Sequence, residues 1–257
     1  MPESPTVTPA YRLRSVCVDY PTPAGPVAGA RDVTLDIPAT GMTVLAGPSG
    51  SGKSTLLRVL GLFERPDRGT VELDGTDLAR LSHRRRRALR RDRISLVFQN
   101  PVENLLPQLS VAGNLRAAAE SAGRNPDELG DVLGELGLGG TGGWSVTALS
   151  GGQQQRLAFG CALARRTPVI LADEPTSQLD DTSATRVLDV LRRLTDRSLT
   201  VVVTSHDGRL IDLATRVVRL RDGALHDSAL HDRAGHDGVP HGAVTDEAPA
   251  RKGHGTA

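Results

Sequence analysis

Residues 42–62 read MTVLAGPSGSGKSTLLRVLGL. The apolar run Met42–Ala46 has the pattern of a buried strand, and Leu56, Leu57 and Leu60 recur at helical spacing. Between them, Gly47–Ser54 matches G-x-x-x-x-G-K-[ST], the phosphate-binding loop, in the strand-to-helix context that motif requires. Gly47, Gly50 and Gly52 let the backbone curl so that successive N–H groups point inward. The helix then opens at the end of the loop, so its unpaired N–H groups and its dipole face the same anion. Lys53 would reach the β- and γ-phosphates, and Ser54 would offer a hydroxyl to Mg²⁺.

The rest of the chain sets bounds on this reading. Its 257 residues allow one large or two modest domains, and 38% hydrophobic with 24% charged residues is the balance of a folded, soluble chain. A formal net charge of +1 gives no global pull toward nucleic acid. Cys17 and Cys161 are too few for a disulfide framework and read as small buried hydrophobes in a reducing cytoplasm. No run approaches the length of a membrane span, and the opening MPESPTVTPA lacks the pattern of a signal peptide.

Upstream of the loop, residues 11–20 and 30–37 alternate with period two and read as antiparallel strands. Tyr20, at the end of the first, can stack on a base or serve as core. Pro66 and Gly69 are expected to end the first helix, and GTVELDG (69–75) reads as a further strand. RLSHRRRRALRRDR (80–93) carries eight arginines. It suits a nucleic-acid or anionic-lipid patch, but a solvated helix face is the preferred reading. ISLVF (94–98) is a strand ending at Gln99. Helical spacing is expected from Val111 to Leu138, with Leu129, Val132, Leu133 and Leu136 on one face, as a small helical insertion. Ser150, Gly151, Gly152 and Gln153 then open another helix, either as a backbone anion site or as a plain turn and cap.

VILAD (169–173) is a buried strand ending in Asp173 and Glu174, and acids there are costly to leave unpaired. Asp173 suits water-mediated coordination of the Mg²⁺ that Ser54 implies, and Glu174 is placed to polarise a water in line with the γ-phosphate. Val187, Leu188, Leu191 and Leu194 form an apolar helix face, and the strand LTVVVTSH (199–206) ends in His206, a γ-phosphate partner or a satisfied loop residue. Residues 214–225 look like a closing edge hairpin. Beyond Gly223 the chain turns polar, and its histidines at 226, 231, 236 and 241 fit neither a helix face nor a zinc-ligand spacing, so the tail is expected to be flexible.

Taken together, the phosphate loop, Gln99, LSGGQ (149–153), ILADEPTSQLD (170–180) and TSHD (204–207) resemble the nucleotide-binding domain of ABC transporters over residues 11–225. NLLPQLSVAGN (104–114) is similar to the lipoprotein-releasing and macrolide-exporter class. The resemblance implies an α/β P-loop NTPase fold with an antiparallel β layer and an inserted α-helical subdomain. Residues 1–10 would be a flexible start, 11–99 and 157–225 the ATPase core, 100–156 the helical subdomain ending in the signature, and 226–257 a disordered tail. ATP and Mg²⁺ are the implied cofactors. Tyr20 would stack on adenine, and the loop would run from Gly47 through Pro48, Ser49, Gly50, Ser51, Gly52, Lys53 and Ser54 to Thr55. Ser150–Gln153 would close on ATP from across a head-to-tail homodimer. Ser54, Gln99 and Asp173 would serve the metal; Lys53, Gln99, Glu174, His206 and Asp180 of the D-loop would serve catalysis. The partners implied are a second copy and an integral-membrane permease, with the chain peripheral on the cytoplasmic membrane face and nucleic acid not expected. A soluble assembly ATPase, as in iron–sulfur cluster assembly, is the alternative. Lys53 and Ser150 are 97 positions apart, which leaves no room for the coiled coils of chromosome-maintenance relatives. One departure stands out: the class usually reads ADEPTGNLD, and here Ser177 and Gln178 replace Gly and Asn.

Overall fold

The computed structural model describes residues 9–226 and the backbone of residues 231–232. Strands β1 (Pro9–Tyr20) and β2 (Val27–Pro38) pair antiparallel, with Leu13 opposite Leu35. β3 (Gly41–Ala46) runs through the phosphate loop into helix α1 (Lys53–Leu60). β4 (Arg68–Leu73) and the short β5 (Thr76–Asp77) complete an antiparallel sheet of order β2-β1-β4-β5. Helix α2 (His83–Arg93) leads into β6 (Ile94–Val97). Three helices follow, α3 (Val111–Ser121), α4 (Val132–Glu135) and α5 (Gly151–Ala164). The chain returns through β7 (Val169–Asp173), α6 (Asp181–Thr195), β8 (Thr200–Ser205), α7 (Gly208–Leu213), β9 (Arg216–Arg221) and β10 (Ala224–Leu225).

The second sheet has the order β10-β9-β3-β8-β7-β6, and its pairings from β9 to β6 are all parallel. A parallel sheet is covered on both faces, so its strands are apolar throughout and alternate between two cores. Val44, Ile170, Ala172, Val201 and Val203 pack toward α3, α5 and α6; Leu45, Leu171 and Val202 pack toward α1 and the antiparallel sheet. On the first side, Val111 and Leu115 of α3 join the same core as Phe159 of α5. Because β3, β6, β7 and β8 run the same way, their C-terminal ends share one edge, where ligands bind in open α/β sheets. That edge carries the phosphate loop, Gln99, Glu174 and His206.

Three expectations are corrected. Helix α1 stops at Leu60, not at Pro66: Gly61 caps it and Leu62 adopts a left-handed φ of 62°. Leu62 is buried, and its carbonyl accepts from Arg86, a contact that local sequence does not reveal. The run 111–138 is not one helix. It breaks at Ser121, passes through a 3-10 turn at Pro126–Glu128, and resumes only as the single turn α4. Pro126 disfavours helical geometry at Asn125, and the Asn125 side chain caps the turn instead. Within the polar tail, His231–Asp232 forms a short strand, β11, paired antiparallel with β9 at Val217 and Arg216. An otherwise open strand edge accepts such a segment. The rest of that tail lies outside the described residues, as do residues 1–8 of the flexible start expected for 1–10; Pro9 and Ala10 of that start already belong to β1, where Pro9 pairs with Pro38. Cys17 and Cys161 are both buried and unbridged, and burial pushes the Cys161 thiol up to about 12.

Candidate active site

The phosphate loop conforms to the geometry its glycines permit. Gly47, Gly50 and Gly52 all have positive φ, at 155°, 77° and 95°. Two of these positions make different demands. A Cβ at Gly50 would meet nothing, whereas one at Gly52 would overlap the Gly29 carbonyl. Gly50→Ala is therefore expected to cost about 1 kcal/mol, the left-handed penalty alone. Gly52→Ala should cost about 2–4 kcal/mol, because strain and a backbone clash add, and should weaken ATP binding as well. Denaturant unfolding of the two variants checks this, and equal losses would refute it.

Lys53 opens α1 and is buried, with its ammonium donating to the carbonyls of Gly47 (2.9 Å) and Pro48 (3.0 Å). Its Nζ also lies 3.6 Å from Glu174 Oε1. Glu174 Oε2 lies 2.9 Å from His206 Nδ1, so one largely buried carboxylate bridges a lysine and a more exposed histidine. Glu174 holds a left-handed φ of 43°, costly for a non-glycine residue, and its N–H is pinned to Thr204 Oγ1 at 2.9 Å. The Thr204 hydroxyl in turn donates to Asp173 Oδ1 at 2.5 Å, and Ser54 Oγ donates to the same oxygen at 3.1 Å. Within the TSHD stretch, Thr204 has only one local mark of this role, a hydroxyl on an apolar strand next to the strand that ends in acids.

Lys53, Ser54, Glu174 and His206 line a cleft of about 440 Å³, together with Ser49, Gly50, Ser51, Gly52, Thr55, Gln99 and Ser177, whereas Asp173 and Thr204 do not line it and reach it through Ser54 and Glu174. Gln99 donates through Nε2 to Ser177 Oγ at 3.0 Å, which leaves its amide oxygen for another partner. Here the departing residue Ser177 takes part in the site. Ser51 Oγ is buried with no hydrogen-bond partner among the described residues, an unused donor inside the loop. At the mouth, Tyr20 stands with Val27, Ala28 and Gly29. Its hydroxyl bonds Glu64 Oε2 (2.9 Å) and Thr55 Oγ1 (3.3 Å), and burial raises its pKa, so the phenol stays neutral. The half-buried ring thus has a polar anchor and a free edge on the cleft.

Ser150–Gln153 and Asp180 do not line this cleft. Ser150 caps α5: its Oγ accepts from Gln153 N–H at 3.3 Å, and its own N–H donates to Gln153 Oε1 at 2.8 Å. This reciprocal capping box leaves Ser150 exposed at the helix N-terminus. Asp180 caps α6 through its carboxylate alone, which accepts from the Ser183 N–H and hydroxyl, and these two bonds hold the carboxyl below the usual range. The two helix starts are neighbours, because a Cβ at Gly152 would lie 2.5 Å from Ser183 Cβ. Glycine there lets α5 and α6 approach, and the result is one exposed patch carrying both motifs.

A glycine loop with the phosphate-binding pattern after β3, a histidine after the adjacent parallel strand β8 and an acid pair at the end of the next strand, β7, define a P-loop ATPase. The chain belongs to the ABC transporter family, whose model matches residues 30–177, and it is an ATP-binding, ATP-hydrolysing member. It is 40% identical over 224 residues to the macrolide export ATP-binding/permease protein MacB 1/2 of Paracoccus denitrificans, covering 86% of this chain and 33% of that protein. It therefore spans about a third of the length of the macrolide-export relatives. It is also 40% identical to the lipoprotein-releasing system ATP-binding protein LolD of Novosphingobium aromaticivorans, over 84% of this chain and 98% of the relative. Among solved structures, it is similar to a dimeric post-hydrolysis state of the ATP-binding cassette MJ0796 bound to ADP and Pi. That match has a TM-score of 0.78 and 30% identity, and covers 88% of this chain and 99% of the other. The resemblance to the lipoprotein-releasing and macrolide-export class, expected from the sequence, holds.

Proposed function

We propose that this chain is the energy-coupling subunit of a membrane transporter, working as a head-to-tail pair that drives a permease of the lipoprotein-releasing or macrolide-exporting kind. The observation that carries this is the separation of the two half-sites. The phosphate cleft lies on one edge of the sheet, while Ser150–Gln153 and Asp180 form a separate exposed patch that does not line it. A second copy would bring that patch, with the N-terminal dipole of α5, against the phosphates of the first. The similar cassette is dimeric with ADP and Pi bound, which supports a paired state for this chain.

In the cleft, Lys53 and the loop N–H groups bind the β- and γ-phosphates, and Ser51 offers its unused hydroxyl. Glu174 accepts the proton of the attacking water, while His206, bonded to the same carboxylate, keeps it aimed at the γ-phosphate. Tyr20 stacks on the adenine. Ser54, Asp173 and the free oxygen of Gln99 are hard oxygen donors suited to Mg²⁺, which would neutralise phosphate charge when bound.

Among the described residues, no helix is long and apolar enough to cross a membrane. A permease partner would hold the chain at the cytoplasmic face of the membrane. The soluble-assembly alternative has no observation in its favour. The test is co-purification of Glu174→Gln protein from its native membranes with ATP and Mg²⁺, followed by mass spectrometry. A stoichiometric multi-span protein is expected; a purely cytosolic complex would overturn the transport reading and leave the ATPase chemistry intact.

A further inference from the structure

We propose that the arginine face of α2 docks on anionic phospholipid headgroups. Eight arginines lie between residues 80 and 93, and the structure accounts for five of them. Arg80, Arg91 and Arg93 pair with Asp77, Asp92 and Asp74. Arg86 is buried and donates to the carbonyls of Leu62 and Glu64, while Arg90 donates to Leu62 and lies 4.7 Å from the centre of the Phe63 ring. The helix is therefore anchored by one face, and the solvated face expected from the sequence is the other. Arg84, Arg85 and Arg87 remain: exposed, with no ion pair or side-chain hydrogen bond among the described residues.

Like charges within one turn repel, and nothing among the described residues pairs with these three. Arginine presents a planar fork that matches phosphate oxygens, is always charged and sheds water more readily than lysine. The excess is local, since the whole chain carries a formal +1. Beside it, Phe63 (51% exposed) and Leu106 (43% exposed) line one cavity together with Arg90 and Arg91 of the same helix. A basic stripe next to exposed apolar side chains fits a surface that offers both phosphate and hydrocarbon, which a bilayer interface does. A nucleic-acid surface would share the basic helix but not the exposed apolar neighbours, so duplex DNA is the competing outcome of the test.

The test uses the full chain with vesicles and no permease, so its outcome is independent of the transport reading. Vesicles of phosphatidylcholine alone are compared with equal parts phosphatidylcholine and phosphatidylglycerol, by co-sedimentation at low and high salt. Binding is expected only to the mixed vesicles, and is expected to fall as salt rises. The triple variant R84A/R85A/R87A should lose on the order of 100-fold in affinity, at about 1 kcal/mol per arginine near an anionic surface. Its ATPase rate should be unchanged, and alanine at exposed helix positions should not unfold it. An R186A/R192A/R193A variant, with the same charge change on α6, should lose far less. The proposal is overturned by equal binding to neutral vesicles, by no binding to either, or by equal losses in the two variants. Tighter retention of duplex DNA than of vesicles at the same salt would overturn it too.

Discussion

Glu174→Gln is expected to bind ATP and to hydrolyse it at least about 10²-fold more slowly than the native chain, the contribution of a positioned general base. The substitution preserves shape, so the Thr204 hydroxyl still pins the backbone at a φ of 43°. What is lost is the basic oxygen 2.9 Å from His206 Nδ1, because an amide oxygen does not take up a proton from water. The ground state gains, since a negative charge leaves the wall that would face the γ-phosphate. With ATP retained and turnover blocked, a dimer should accumulate during gel filtration in ATP and Mg²⁺. Calorimetry with ATP and a steady-state phosphate assay separate the two effects. Native-like turnover would remove Glu174 from the role of base.

Lys53→Ala should instead fail at the binding step. The ammonium already sits between two loop carbonyls and the Glu174 carboxylate, so it is aimed into the cleft by its surroundings. Hydrogen bonds to charged groups contribute about 1.5–3 kcal/mol each, which predicts a 10- to 100-fold weaker ATP affinity. Turnover should fall further, because the charge that develops on the transferred phosphoryl group loses its nearest cation. Comparison of Kd with kcat for ATP distinguishes the two contributions. An unchanged Kd would refute the assignment.

The contrast between these two residues tracks what was readable beforehand. Lys53 sits inside a motif whose chemistry is local: glycines at set offsets, a strand before and a helix after. Glu174 was readable because a carboxylate ends a strand with nothing apolar to excuse it. The geometry that makes Glu174 useful was not readable, since it depends on Thr204, which is 30 residues away in sequence and adjacent through parallel strand pairing. Helix α1 illustrates the same limit at lower stakes. Its end was expected at the Pro66–Gly69 signal, but Leu62 adopts the left-handed position that glycine usually takes, because its buried side chain and the Arg86 guanidinium stabilise that turn. Over residues 111–138 the apolar periodicity was real, and Val132 and Leu136 do reach the core. Pro126 and the Asn125 cap, however, outweigh helix continuity between them.

By itself, the sequence determined the family and the candidate chemistry: a phosphate-loop motif, a strand-end acid proposed to activate water, and a strand-end histidine proposed to assist it. It could do so because each depends on residue type and short spacing along one strand, turn or helix start. Tertiary structure alone decided which of those groups meet. Parallel pairing of β3, β7 and β8 brings Ser54, Asp173, Glu174 and His206 to one edge, while the close packing of α5 on α6 at Gly152 holds the signature and Asp180 together outside that cleft. Both arrangements join residues far apart in the chain, and no local pattern encodes contacts of that range.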